Sequence, residues 1–279
     1  MNSIKFRYPS VLSIAGFDGS GGAGQQADIK TISSLGCYAT CVLTGLPIQN
    51  TLGVQKIYPI PLAAIEDQIR AVMDDVPPQA IKIGMVHSAD LVDVIVNTLS
   101  DYPKVPMVFD PVMVASSGDK LIKDEDINHI VEKLFPIADL ITPNMDESAV
   151  LANMPVRNLE EMLAAGKEIR KLSKHNILLK GGHQSTDTLV SVLIDTKDQY
   201  HRFSNPRIET QNIHGSGCTL SSAIASYLAR GKTLLQAVEL AQNYVHQAIL
   251  QARDVKTGAG SGPLNHFFAP EKLIKISQA

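Results

Sequence analysis

The chain has no apolar run approaching the roughly 20 residues a bilayer-spanning helix needs, so nothing in it reads as a membrane segment. Cysteine is scarce. Cys37, Cys41 and Cys218 are an odd set, with no Cys-x-x-Cys spacing and no neighbouring histidine pair, which argues against a zinc site and for a reducing, cytoplasmic setting. Basic charge is not in excess: 25 Lys and Arg against 28 Asp and Glu give a net charge of −3, so there is no broad face for nucleic acid. The first seven residues, Met1 to Arg7, lack the apolar core of a secretory signal. Three catalytic signatures are also missing: the Gly-x-x-x-x-Gly-Lys-[Ser/Thr] phosphate loop, His-Glu-x-x-His and Gly-x-Ser-x-Gly. No internal repeat or low-complexity linker divides the chain, and its 279 residues read as one domain, 1–279. Gly258–Gly262 is the one stretch that looks flexible.

What remains is an alternation of short apolar runs with helical periodicity. Strands are expected at Val11–Ala15, Cys37–Leu43, Ala80–Val86, Met107–Asp110, Leu140–Thr142 and Ile177–Lys180. Helices are expected between them: one carrying Ile29, Ile32 and Leu35 on one side, one opened by Pro61 with Leu62, Ile65, Ile69, Val72 and Met73 inward, then Leu91–Leu99, Ile127–Phe135, one begun by Asn144, and Leu159–Leu172. Leu189–Ile194 and Tyr200–Phe203 read as a strand pair, and Thr233 as the cap of a helix over Leu234–Ile249. Such alternation predicts an α/β fold, a mostly parallel sheet covered by helices on both faces.

In such sheets ligands sit at the carboxyl ends of the strands. Those ends carry Gly16 and Asp18, Gly84 and Met85, Asp110, Thr142 to Asn144, and Lys180 to Gly182. Gly19-x-Gly21-x-x-Gly24 matches the dinucleotide fingerprint in form, but no acidic residue follows at the end of the second strand to hold a ribose. It is read as a loop closing over a small substrate, or as a tight strand-to-helix turn. Asp28 faces a substrate or is a charge near a helix start, and Gln49-Asn50 offers an amide or is a polar turn. Asp110 suits magnesium, though Asp-Pro is also a common turn. Asn144-x-x-Glu147 is either a capping box or a presentation of Glu147 to a magnesium–phosphate cluster, and Lys180-Gly181-Gly182 suits a phosphate.

The most telling stretch is Asn212-Ile-His-Gly-Ser-Gly-Cys-Thr219, a glycine turn feeding a helix that buries Leu220, Ala223, Ile224, Tyr227 and Leu228. A helix start favours anions, and so favours a thiolate, which predicts a lowered pKa for Cys218. An anion hole beside a potential base suits phosphoryl transfer; the plainer reading is a glycine turn with a small buried cysteine.

With these residues in place, the chain resembles the ribokinase-like superfamily, and within it the hydroxymethylpyrimidine/phosphomethylpyrimidine kinases of thiamine biosynthesis. The resemblance lies in Ser13-Ile-Ala-Gly16, Ser20-Gly-Gly-Ala-Gly24, Gln26-Ala-Asp28, Gln49-Asn-Thr-Leu-Gly53, Lys82-Ile-Gly-Met85, Asp110-Pro-Val-Met-Val114 with Ser117-Gly118, Thr142-Pro-Asn144, Lys180-Gly-Gly-His183 and His214-Gly-Ser-Gly-Cys-Thr219, in the family's order. It implies a three-layer α/β/α sandwich and phosphorylation, by ATP with Mg2+, of 4-amino-5-hydroxymethyl-2-methylpyrimidine and then of its monophosphate. It implies that Gly16, Asp28, Gln49, Met85 and Val112 line the pyrimidine pocket and that Asn144 and Lys180 meet ATP. Asp110 and Glu147 would manage magnesium, and Gly215, Ser216, Gly217 and Cys218 would form the catalytic turn, in a protein that is commonly a homodimer. Phe17 and Gly19 stand where the family usually has serines, and Leu46-Pro47-Ile48 replaces a more typical Leu-Thr-Ala. The nearest alternatives are therefore a pyridoxal kinase of the same superfamily and, in a different class, a non-catalytic ligand-binding protein on this fold.

Overall fold

A computed structural model describes residues 5–113, 122, 124–182, 184 and 186–277. Of the residues that carry the family resemblance, Val114, Ser117, Gly118 and His183 lie outside this set.

The chain runs through β1 (Phe6–Arg7), β2 (Ser10–Ala15), α1 (Gly24–Ser34), β3 (Tyr38–Leu43) and a hairpin of β4 (Gly45–Asn50) and β5 (Gly53–Pro59). Then come α2 (Leu62–Asp75), β6 (Ala80–Ile83), α3 (Ala89–Ser100), β7 (Met107–Phe109), α4 (Asp124–Leu134), β8 (Leu140–Ile141), α5 (Met145–Ala152), α6 (Leu159–Leu172) and β9 (Asn176–Leu179). The strand pair β10 (Thr188–Ile194) and β11 (Tyr200–Pro206) leads to α7 (Ser216–Ala229), α8 (Leu234–Leu250) and β12 (Ile276–Ser277). The central sheet has eight strands in the order β11-β10-β9-β8-β7-β6-β2-β3. Its strands are parallel except β10 and β11, which pair antiparallel.

The sheet is covered on both faces because its strands are apolar on both faces. Leu12, Ile14, Ile81, Ile83, Phe109, Ile141, Ile177 and Leu179 point into one core with Ile65 and Ile69 of α2, Ile95 of α3 and Ile169 of α6. The intervening Val11, Ala80, Val108, Leu140 and Leu178 point into a second core with Ile32 of α1, Ile224 of α7 and Ala241 of α8. This is the period of two expected of a strand, read twice. The expected three-layer sandwich is the fold observed. Strand order reverses at β2, which lies between β3 and β6, so the crevice beyond β2 and β6 is the topological switch point where ligands bind in such sheets.

Three expectations need correction. Ile29 is 38% exposed, because the inward face of α1 is centred on Asp28, Thr31, Ile32 and Leu35. Gln49-Asn50 is not a turn after a strand but the end of β4, in a bulged hairpin whose alternation is broken by Gly45 and Pro47. Gly258–Gly262 is no loose tether. Ala259 and Gly260 donate their N–H groups to Thr51 Oγ1 (3.2 and 3.1 Å), and Ser261 N donates to Thr51 O (3.0 Å). Side chains at Gly258 or Gly260 would collide with Thr51, so the glycines serve close approach of two backbones.

One charge pair crosses the layers. Lys82, in the middle of β6, and Asp28 of α1 are both wholly buried, with Nζ 2.7 Å from Oδ2. Ser13 of β2 donates to the same carboxylate (2.5 Å), as does Ser222 of α7 (2.6 Å). Burial alone would lower the Lys82 pKa, but the Asp28 and Asp110 carboxylates outweigh it and keep the ammonium charged. Removing one partner strands the other's charge in the core. Lys82→Met is therefore expected to cost about 3–5 kcal/mol in urea unfolding, and adding Asp28→Leu to recover most of it. An unchanged midpoint in Lys82→Met would refute this role for the pair.

Candidate active site

At the switch point, tight backbone approach makes the first half of the site. A Cβ on Gly16 would stand 2.7 Å from Met85 Cε, and one on Gly45 3.2 Å from it. Thr44 Oγ1 donates to Met85 O (2.8 Å) and Phe17 N to Gly45 O (3.0 Å), which fixes the hairpin across the crevice. Gln49 swings its amide back, so that Nε2 lies 3.4 Å from Phe17 O. Gly16, Met85 and Gln49 are thus brought together. Asp28 lies beneath them, its carboxylate engaged by Lys82, Ser13 and Ser222. Val112 is half-buried and tied by its N–H to Asp110 O (2.8 Å) rather than to that group.

The second half is a buried charge cluster beyond β7, β8 and β9. Asp110 Oδ1 accepts from Lys180 Nζ (2.7 Å) and Thr142 Oγ1 (2.9 Å), and Ser221 of α7 reaches Oδ2 at 3.4 Å. Burial acts to raise the Asp110 pKa, but Lys180 and Lys82 outweigh it and hold the carboxyl below its usual range. Lys180 Nζ also lies 3.7 Å from Glu147 Oε2. Burial pushes Glu147 up to about 7, with Asp110 adding to the rise and Lys180 opposing it. Asn144 and Glu147 do form a capping box on α5: Asn144 Oδ1 accepts from Glu147 N (2.9 Å) and Glu147 Oε2 from Asn144 N (2.7 Å). The box leaves Glu147 facing Lys180, so the cap and the charge cluster are one structure.

Between the halves stands the N-terminus of α7. Gly215 has φ +82°, and a Cβ there would overlap the Gly22 carbonyl oxygen. No side chain caps this helix; Ser216 N donates to Ile213 O (3.1 Å), and the N–H groups of Gly217 and Cys218 face the position an anion would take. A Cβ on Gly217 would lie 3.3 Å from Lys180 Nζ and 3.4 Å from Asp110 Oδ2, which sets the turn against the charge cluster. Cys218 departs from expectation. Burial pushes its thiol up to about 11; Lys82 opposes the rise, and Asp28 and Asp110 reinforce it. Desolvation beside two carboxylates overrides the helix-start effect.

The glycine loop before α1 is an internal scaffold. Asp18, wholly buried, takes up the N–H groups of Ser20 (2.9 Å), Gly22 (3.0 Å) and Ala23 (2.6 Å), and His214 Nε2 donates to its Oδ2 at 2.9 Å. Burial acts to raise the Asp18 pKa, but the bonds from His214, Ser20 and Ala23 prevail and hold it well below the carboxylate range. Sequence reading assigned no role to His214, Lys82 or Ser221, and placed Asp18 only at a strand end where a ligand would sit. Lys82 had a visible signal, one charge inside the apolar strand Ala80–Ile83.

A lysine–carboxylate cluster against an uncapped helix start, next to a backbone-lined crevice, defines a site for a phosphate donor beside a small acceptor. A family model described as phosphomethylpyrimidine kinase matches residues 18–265, and the chain belongs to that family. It is 44% identical over 95% of its length to the thiamine biosynthesis bifunctional protein ThiED of Geobacter sulfurreducens, and spans about half (53%) of that protein. It is 41% identical to a hydroxymethylpyrimidine/phosphomethylpyrimidine kinase of Rhizobium meliloti, covering 92% of this chain and 96% of that one. Among solved structures, an ADP complex of Bacillus subtilis pyridoxal kinase superposes with a TM-score of 0.84 at 29% identity, over 93% of this chain and 98% of that one.

If burial controls Cys218, iodoacetamide at about pH 8 labels the exposed Cys41 first and Cys218 slowly. In Cys41→Ala, the thiolate absorbance of Cys218 emerges only in strongly alkaline solution. A thiolate step near about pH 7 would restore the lowered pKa expected from sequence.

Proposed function

We propose that this protein transfers the γ-phosphoryl group of ATP to the hydroxymethyl oxygen of 4-amino-5-hydroxymethyl-2-methylpyrimidine, and then phosphorylates the resulting monophosphate. The observation that carries this reading is the contact of the Gly215–Cys218 turn with the Asp110–Lys180 pair, in a chain of this family. Gly16, Asp28, Gln49, Met85 and Val112 are assigned to the pyrimidine side, Asp28 acting from beneath. Asn144 and Lys180 are assigned to the phosphates of ATP. The first-turn N–H groups of α7 stabilise the charge on the transferring phosphoryl group.

Cys218 orients the acceptor hydroxyl as a thiol. A loose transition state needs little proton removal before the phosphoryl bond breaks, so a raised thiol pKa is compatible with turnover. The residues fit magnesium by their chemistry. Asp110 and Glu147 are buried carboxylates, and among the described residues no three His, Cys, Asp or Glu side chains gather into a cage, so nucleotide phosphates and water would complete the shell. When bound, the cation supplies charge neutralisation to those phosphates. A cytoplasmic homodimer belongs to the same proposal, supported by the family resemblance and, for the compartment, by three unpaired cysteines; among the described residues no helix is long and apolar enough to cross a membrane.

The decisive assay offers the pyrimidine, its monophosphate and pyridoxal in parallel with MgATP. Turnover of both pyrimidines is expected. Pyridoxal turnover alone would move the assignment to a pyridoxal kinase, with Phe17, Gly19 or Pro47-Ile48 as the reshaping residues, and tight binding without turnover would move it to a binding protein. Cys218→Ala is expected to lower kcat by about 10²-fold with pyrimidine affinity nearly unchanged. Glu147→Gln is expected to raise the magnesium concentration at half-maximal rate; an unshifted titration would leave Glu147 as a helix cap alone.

A further inference from the structure

We infer that His214 is a positioning residue which, through Asp18, locks the anion-binding turn of α7 onto the acceptor loop between β2 and α1, so that the two halves of the site are held in reacting register. This rests on the phosphotransfer reading above. The clamp is built from both sides. Asp18 spends one oxygen on Ser20, through N (2.9 Å) and Oγ (2.7 Å), and the other on Gly22 N, Ala23 N and His214 Nε2. An ionised carboxylate only accepts, so Nε2 carries the proton that bridges the two loops.

The loop and the turn also touch directly. A side chain at Gly22 would collide with the His214 ring, and one at Gly215 with the Gly22 carbonyl. From the same residue, the His214 backbone N–H donates to Gly262 O (3.0 Å), and His214 forms a parallel bridge with Pro263. Gly262 ends the glycine strap that grips Thr51 at the tip of the hairpin bearing Gln49. His214 is therefore the junction of three segments: its side chain meets the acceptor loop, its backbone meets the strap, and Gly215 to Cys218 follow it directly. Nothing in this arrangement requires His214 to touch substrate. Its effect is to fix where the N–H groups of the turn stand relative to the acceptor oxygen, and misplacement of that kind is felt in the transition state more than in binding.

The test compares wild type, His214→Ala, His214→Gln and Asp18→Asn as full chains, with turnover scaled to the folded fraction. Gln is the conservative variant, because its amide nitrogen reaches the place of Nε2 and still donates to Asp18. Expected in His214→Ala are a fall in kcat on the order of 10²-fold with pyrimidine KM within about threefold, and faster iodoacetamide labelling of Cys218 as the turn loosens. His214→Gln should restore most of both, and Asp18→Asn should resemble His214→Ala. A purely structural histidine would lower the folded fraction and leave kcat per folded molecule and Cys218 labelling unchanged, which overturns the inference. A rise in KM alone, or a loss of kcat that His214→Gln leaves unrepaired with Cys218 labelling unaltered, overturns it as well. If wild type turns over none of the offered acceptors, it is the phosphotransfer reading that fails. The Cys218 labelling rates then decide the clamp by themselves.

Discussion

The structure depends first on a charge that has no access to water. Lys82 stands inside the sheet, and the Asp28 carboxylate, with Asp110 adding to it, makes that tolerable. Because Asp28 is also held by Ser13 and Ser222, one ion pair fastens β2, β6, α1 and α7 at the floor of the switch-point crevice. The arrangement has a geometric result. Ser222 lies one helical turn past Cys218, so the pair sets the height at which the anion-binding turn meets the crevice.

Above that floor, charge is balanced in a second tier. Asp110 and Glu147 share Lys180, and Gly217 passes close to both ends of the Asp110–Lys180 pair. Each group's protonation state is set by the others and by burial, not by its intrinsic tendency. Cys218 illustrates the competition: a helix start favours its thiolate, but desolvation beside Asp28 and Asp110 is the larger effect. Its role then shifts from removing a proton to holding a hydroxyl, and the burden of catalysis falls on positioning.

The layered fold was legible because both faces of the sheet are buried, which writes continuous apolar runs into the strands and a one-sided stripe into helices such as α2 and α6. The boundaries of α6 and the caps at Asn144 and Thr233 could be read from residues alone, since caps are local chemistry. The β4–β5 hairpin was not legible: Gly45 and Pro47 interrupt its alternation, and its stability comes from contacts made elsewhere, including the strap at Thr51. Ile29 was misplaced because a buried aspartate, which periodicity counts as polar, defines the inward face of α1. In the candidate site, the glycines and the charged residues at strand ends were visible by position. The links between them were not, because Lys82–Asp28 and Asp18–His214 span 54 and 196 residues of chain. No window along a sequence registers such pairs.

The pairing of β1 with β12 sets Phe6 opposite Ser277. The last residues reach that point by running past the far end of α1, where Glu271 N meets Ser34 O and Ile274 N meets Gly36 O. An 11-residue helix therefore separates this corner from the glycine loop at Gly24, a distance of about 16 Å. The first and last described strands thus share one address on the side of the sheet remote from the crevice, and their pairing closes the fold without crowding the site.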